Sequence, residues 1–312
     1  MSYAAIDINN LTKQYVAGRA SQEEKLALNN LNLNVEVGSI FGLLGPNGAG
    51  KSTLINILAG TVLKTSGEVR VMGVDLDKQP KKARSLIGIV PQEIVTDTFF
   101  PLWQALEFTA GYFGIRPEDR ITDQLLKTLS LYDKRNSLPQ RLSGGMKRRF
   151  LIAKAMVHSP KILVLDEPTA GVDIELRSQL WEYVKKLNHE QGVTIIITTH
   201  YLAEAQELCD NIAFINDGKI IKQDSKKKLL VDLGSRHFDV EFEDSFDLSK
   251  MSKSEDIKYQ ILGENKIRFD LHTENNDFSQ ILEIIRSMNL KIKNLNLTEP
   301  DLEAIFHKIV KK

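Results

Sequence analysis

Nine consecutive residues, Gly45-Pro46-Asn47-Gly48-Ala49-Gly50-Lys51-Ser52-Thr53, combine a glycine-rich turn with one amine and two hydroxyls. Glycines let a backbone wrap closely round a polyphosphate, and a helix that follows turns its N-terminal N–H groups and dipole toward negative charge. In the spacing G-x-x-x-x-G-K-S, Lys51 reaches β and γ phosphates and the Ser52 hydroxyl can ligate Mg²⁺. The chemistry is therefore the binding of a nucleoside triphosphate. Two adjacent carboxylates close the apolar run Lys161-Ile162-Leu163-Val164-Leu165-Asp166-Glu167. Asp166 can hold the metal through water, and Glu167 can polarise an attacking water as general base. His200, which closes Ile195-Ile196-Ile197-Thr198-Thr199, can hydrogen-bond a γ-phosphate and orient that water. A second phosphate grip opens at Leu142-Ser143-Gly144-Gly145-Met146-Lys147-Arg148-Arg149, where Ser143 is a good N-cap and two glycines expose backbone N–H groups at a positive helix end. One domain has no obvious use for two grips on one nucleotide.

Those residues need strands and helices to carry them. The phosphate-binding turn follows the apolar run Ile40-Phe41-Gly42-Leu43-Leu44 and precedes the helical Leu54-Ile55-Asn56-Ile57-Leu58. Ile162–Leu165 and Thr194–Thr198 are unbroken apolar or β-branched runs, as parallel strands buried on both faces would be. Leu31–Val37 alternates with period two, which predicts a half-exposed antiparallel strand. Strand-like and helical stretches alternate through residues 1–233, the pattern of an α/β layer structure with a mixed sheet. Helical text rich in aromatics (Phe99, Phe100, Trp103, Phe108, Tyr112, Phe113) begins at Glu93, and with the helix that Ser143 opens it predicts an inserted helical subdomain of about 93–158. Asn216-Asp217-Gly218-Lys219 is a hairpin signal. After a short helix at Lys226–Leu233, residues 234–312 read strand-strand-strand-helix-strand-helix, a small C-terminal α+β domain.

Composition narrows the class. The chain has 312 residues, 42% hydrophobic and 26% charged, with 41 Lys+Arg against 41 Asp+Glu. Zero net charge argues against a nucleic-acid partner bound through a broad basic surface. The start, Met1–Asp7, lacks the basic and apolar blocks of a secretion signal, and the apolar runs are too short to span a bilayer. The single cysteine, Cys209, excludes an internal disulfide and fits a reducing compartment. A cytoplasmic location is expected.

Taken together, these motifs resemble the nucleotide-binding subunit of ATP-binding cassette (ABC) transporters, over residues 1 to about 233 and in the family's order. On that resemblance the fold is a P-loop NTPase core of the ABC ATPase type. Gly45–Thr53 is then the Walker A loop, Leu142–Met146 the signature, Ile162–Glu167 Walker B and His200 the switch histidine. Gln92, in Ile89-Val90-Pro91-Gln92, looks like the Q-loop glutamine, which joins Glu167 and His200 in catalysis and Ser52 and Asp166 at Mg²⁺. Gly171-Val172-Asp173 looks like the D-loop, with Asp173 at the nucleotide. Tyr15 resembles the aromatic that stacks on adenine, although Val16–Lys25 is longer than the pattern usually has there. ATP and Mg²⁺ are the implied substrate and ion. The family also accounts for the two grips, because two subunits dimerise head to tail and each ATP lies between one Walker A loop and the partner's Ser143-Gly144-Gly145.

Met146 in place of the usual glutamine, the following Lys-Arg-Arg, Thr169–Arg177 and the short C-terminal domain are similar to the ATPases of ABC-2-type exporters. The expected partner is a transmembrane permease on a separate chain, contacted by the helical subdomain near Gln92, which makes the protein peripheral on the inner face of the membrane. A soluble ABC ATPase acting on ribosomes and an importer ATPase stay open as alternatives. The aromatics of the subdomain serve either that contact or the subdomain's own core.

Overall fold

The computed structural model describes residues 4–16, 24–93, 99–169, 174–233, 236–245, 259–271, 278–287, 290–298 and 301–310. It divides into two compact units, Met1–Asp224 and Ser225–Lys312. In chain order the first unit opens with β1 (Ala4–Tyr15), β2 (Lys25–Glu36), β3 (Ile40–Leu44), α1 (Lys51–Ala59), β4 (Ser66–Val71), β5 (Val74–Asp75), α2 (Pro80–Arg84) and β6 (Ile87–Val90). Three helices follow, α3 (Leu102–Tyr112), α4 (Thr122–Thr128) and α5 (Gly144–Met156). The unit closes with β7 (Ile162–Asp166), α6 (Ile174–Gln191), β8 (Thr194–Thr199), α7 (Leu202–Leu208), β9 (Asn211–Asn216) and β10 (Lys219–Ser225).

Two sheets enclose α1. The first is antiparallel, in the order β2-β1-β4-β5, and its β2 alternates buried and exposed from Leu31 to Glu36 as the period-two text predicts. The second runs β10-β9-β3-β8-β7-β6, with parallel pairing from β9 through β6. Every residue of β3 and of β8 is buried, which explains their continuous apolar text. Leu54, Ile55, Ile57 and Leu58 of α1 share one core cluster with Ile6, Leu31 and Val69 of the first sheet and with Phe41, Leu43 and Val164 of the second. The parallel strands therefore end together, and the turns after β3, β7 and β8 converge on one sheet edge, where ligands bind in open α/β folds.

Helices α3, α4 and α5 pack on one another. Leu102, Ala105, Leu106 and Ala110 of α3 are buried at helical spacing. Three of the aromatics face solvent, with Tyr112 91% exposed, Phe99 84% and Phe108 45%, whereas Trp103 is half-buried and Phe113 stacks on His158. Core filling is not what Phe99, Phe108 and Tyr112 do.

The second unit comprises α8 (Lys226–Leu233), β11 (Arg236–Phe242), β12 (Tyr259–Gly263), β13 (Lys266–Leu271), α9 (Phe278–Ser287), β14 (Ile292–Thr298) and α10 (Leu302–Val310). Its sheet is antiparallel, in the order β12-β13-β11-β14. Phe238, Val240, Phe242, Ile267 and Phe269 pack against Ile281, Ile284 and Ile285 of α9. On the opposite face Arg268 forks onto Asp239 at 2.7 and 2.8 Å. The boundary falls at residue 224, earlier than the expected 233. The reason is α8, which packs on α10, buries Leu229 and receives a hydrogen bond from Lys308 Nζ at the Leu233 carbonyl, 3.2 Å.

Candidate nucleotide site

The phosphate loop is shaped by close backbone approaches. A Cβ on Gly45 would lie 2.2 Å from the Ile215 carbonyl oxygen, and Gly50 takes φ +110° with its would-be Cβ 2.7 Å from the Ala27 carbonyl. Neither position has room for a side chain. Ala49 N–H donates to Pro46 O at 3.2 Å, and Leu54 N–H to Gly50 O at 3.0 Å, which joins the loop to α1. The β9–β10 turn braces it from outside. Asp217 and Gly218 adopt φ 46° and 72°, and Gly218 N–H donates to Ala49 O at 3.0 Å. The hairpin was legible in the sequence, but its support of the loop was not.

Lys51 is buried, and its ammonium donates to the Gly45 carbonyl at 2.6 Å and the Pro46 carbonyl at 3.1 Å. Burial pulls this ammonium below the usual lysine range, while the carboxylates of Glu167 and Asp166 oppose the shift. The loop thus holds its cation in place on carbonyls that phosphate oxygens can replace.

Across the sheet edge the β7 terminus turns sharply. Glu167 takes φ 44°, a left-handed conformation that a non-glycine residue adopts only when held there. Its N–H is fixed on Thr198, by the carbonyl at 3.0 Å and the hydroxyl at 3.1 Å. The carboxylate is clasped at both oxygens, by Gln92 Nε2 at 2.9 Å and by His200 Nδ1 at 3.2 Å. The Thr198 hydroxyl also donates to Asp166 Oδ1. Burial raises the Asp166 carboxyl above its ordinary value, with Glu167 adding and Thr198, Lys51 and Arg148 opposing.

A cavity of about 500 Å³ is lined by Tyr15, Lys25, Ala27, Asn47, Gly48, Gly50, Lys51, Ser52, Thr53, Gln92, Glu167 and His200. It brings together the residues named from sequence at Tyr15, the phosphate loop, Gln92, Glu167 and His200. Gly45 and Pro46 act on Lys51 rather than on the cavity wall, and Ala49 is buried behind the loop. Ser143, Gly144 and Gly145 are not part of this lining. Ser143 and Gly144 are exposed, and the Ser143 hydroxyl caps α5 by accepting from Met146 N–H at 3.3 Å. Asp173 lies outside the described residues.

Sequence reasoning missed four contributors. Lys25 and Ala27 enter because β2 pairs with β1 so that Lys25 stands opposite Tyr15, a register that the intervening stretch conceals. Thr198 was passed over as strand filler, although a hydroxyl two residues before His200 on a buried strand needs a partner. Arg148 was read only as part of a basic triplet. It is 2% exposed and donates to the carbonyls of Pro91 and Gln92.

The oxygen donors near the phosphate loop suit a hard divalent ion: the Ser52 hydroxyl, the Asp166 carboxylate and the Gln92 amide oxygen, left over when Nε2 bonds Glu167. The arrangement can bind a triphosphate, neutralise its charge and present a carboxylate to water beside it.

The profile of the ABC transporter family matches residues 28–170. The Nod factor export ATP-binding protein I of Burkholderia orbicola is 38% identical over 232 residues, 74% of this chain and 74% of that protein. Its namesake in Mesorhizobium japonicum is 31% identical over 310 residues, covering 97% and 89%, so that likeness runs through the second unit. A dimeric ATP-binding cassette in a post-hydrolysis state, bound to ADP and Pi, superposes with TM-score 0.63 at 29% identity, over 70% of this chain and 98% of the other. The cbiO1 protein of Clostridium perfringens, part of an ABC transporter complex, gives 0.64 at 31% identity, over 74% and 92%. With the phosphate loop, the clasped Glu167 and the capped Ser143 helix all present, this chain belongs to the ABC transporter family as one of its ATP-binding, ATP-hydrolysing subunits.

Proposed function

We propose that the chain powers an ABC-2-type exporter as a homodimer of ATPase subunits coupled to a separate transmembrane permease. The observation that carries the catalytic part is Glu167, held in a left-handed turn with both carboxylate oxygens engaged beside the phosphate loop. ATP enters the cavity with its base toward Tyr15 and its phosphates on the loop N–H groups. Lys51 exchanges its carbonyl partners for β and γ oxygens. Ser52, Asp166 and Gln92 would hold Mg²⁺, which when bound neutralises charge on the phosphates. Glu167 accepts the proton of the attacking water, and His200 orients that water against the γ-phosphate.

Head-to-tail pairing supplies what one subunit lacks. Ser143 and Gly144 are exposed at a helix N-terminus, none of Ser143, Gly144 and Gly145 lines the chain's own cavity, and an anion from a second subunit fits there. Nucleotide that is gripped on both sides only in the closed dimer favours closure, and hydrolysis removes that preference. Docking to the permease rests on the exposed aromatics of the helical subdomain, Phe99, Phe108 and Tyr112. The protein then sits on the cytoplasmic face of the membrane. Export as the direction follows the Nod factor export relatives.

The test uses tagged Glu167→Gln protein, membranes solubilised in mild detergent with ATP present, and identification of what co-purifies. A multi-span membrane protein at equal stoichiometry supports the reading. Ribosomes, with no membrane protein, would overturn it.

A further inference from the structure

Arg148 has no part in the chemistry described so far, yet its position joins two parts of it. The guanidinium is 2% exposed, a rare state for arginine, and burial holds it below its ordinary range. Nη1 donates to the Pro91 carbonyl at 2.8 Å and Nη2 to the Gln92 carbonyl at 3.0 Å. Among the described residues Nε has no hydrogen-bond partner. The Asp166 carboxylate opposes that shift. A buried guanidinium that spends a planar pair of donors on two successive backbone carbonyls fixes where that backbone runs.

That backbone is the one that presents Gln92. From it the Gln92 amide reaches Glu167 Oε2 at 2.9 Å. Arg148 itself belongs to α5, the helix whose first turn holds Ser143, Gly144 and Gly145. Five residues of helix put it about 7.5 Å along the axis from Ser143. A rigid helix, a forked arginine, a loop backbone and one amide therefore run without a break from the exposed grip to the carboxylate.

We propose that Arg148 is a positioning residue that couples the Ser143 end of α5 to Glu167, by fixing the Pro91–Gln92 backbone so that Gln92 orients the carboxylate. The proposal rests on the reading of Glu167 as general base. Displacement of α5 by a partner-bound γ-phosphate is passed to the Gln92 amide, so Arg148 acts on turnover and not on nucleotide affinity. Lysine cannot take its place, since one ammonium does not span two carbonyls in a plane.

A double-mutant cycle on the full-length chain decides it, reading kcat, ATP affinity and Tm for Arg148→Met, Gln92→Ala and the pair. Arg148→Met is expected to lower kcat about tenfold or more with ATP affinity held within about twofold. In the Gln92→Ala background the same change is expected to have no further effect, because the group it positions is gone. Losses that multiply across the cycle, or an unchanged kcat in Arg148→Met, overturn the proposal. Should the methionine variant not fold, Arg148→Lys runs the same cycle, with a loss of kcat that again vanishes beside Gln92→Ala. An arginine that serves only to pack α5 would lower Tm and kcat equally in both backgrounds. Glu167→Gln stands apart as a control: full turnover in that variant removes the base and leaves the Arg148–Gln92 coupling to be judged on its own cycle.

Discussion

Two glycine-rich turns in this chain each open a helix, one at Gly45–Gly50 and one at Ser143–Gly145, and they are built for opposite degrees of completeness. The first is closed on itself. Backbone bonds lock it, Ala27 and Gly218 press on it from outside, and its lysine is buried on its own carbonyls. The second is bare. Its serine hydroxyl accepts from Met146 N–H, Ser143 and Gly144 are exposed, and the first N–H groups of the helix have no intrahelical acceptor. A loop that surrounds a polyphosphate needs precise closure, whereas a surface that receives one phosphate from another molecule needs openness. On the proposed head-to-tail pairing, half of this site is a preformed container and half is a docking point.

The sharpest way to break that comparison is to leave both turns intact and remove the chemistry between them. Glu167→Gln is expected to lower turnover by roughly 10²–10⁴, the range of a general base, with ATP still bound and dimers accumulating. Measuring ATPase rate together with ATP-dependent mass by light scattering checks both halves. Parental turnover would remove Glu167 from the base role.

Ser143→Arg attacks only the open turn. It obstructs a grip that the monomer does not use, so nucleotide binding by the monomer is expected to stay within about twofold while hydrolysis falls to background. If binding is lost to the same degree as hydrolysis, the two turns act on one nucleotide within one chain, and the division into container and docking point fails.

Lys51→Ala is the reciprocal change. A charge-assisted hydrogen bond is worth about 1.5–3 kcal/mol, so ATP affinity is expected to fall roughly ten- to hundredfold, with hydrolysis lost as a consequence. Fluorescent-nucleotide titration of the isolated chain reads this directly. An unchanged affinity would show that the carbonyl-bound ammonium never transfers to phosphate.

How far sequence reached follows the same line. The container's residues could be named from one contiguous stretch, because a phosphate loop needs its glycines and lysine together. The strands of the second unit were also readable, since Phe238, Val240 and Phe242 alternate with charged residues that pair across the sheet. Contacts set by tertiary register were not. Lys25 reaches the cavity only through its antiparallel alignment with Tyr15, and Thr198 bonds Glu167 only because β7 and β8 lie side by side. The boundary at 224 depends on a helix-to-helix contact between α8 and α10 that no local pattern announces.

The smallest expected effect tests whether the open turn is also a structural cap. Ser143→Ala removes the hydroxyl that accepts from Met146 N–H at 3.3 Å. Losing an N-cap costs about 1 kcal/mol, and the 3.3 Å contact is long, so a Tm lower by only a few degrees is expected. Turnover should fall further than that stability loss predicts, because the same hydroxyl would face the partner-bound γ-phosphate. Titrating ATP at high protein concentration separates the two effects. If saturating ATP restores the full rate, Ser143 serves dimer closure. If the rate stays low at saturation, the hydroxyl acts on the bound phosphate after closure, and the open turn is a second catalytic contributor rather than a docking point alone.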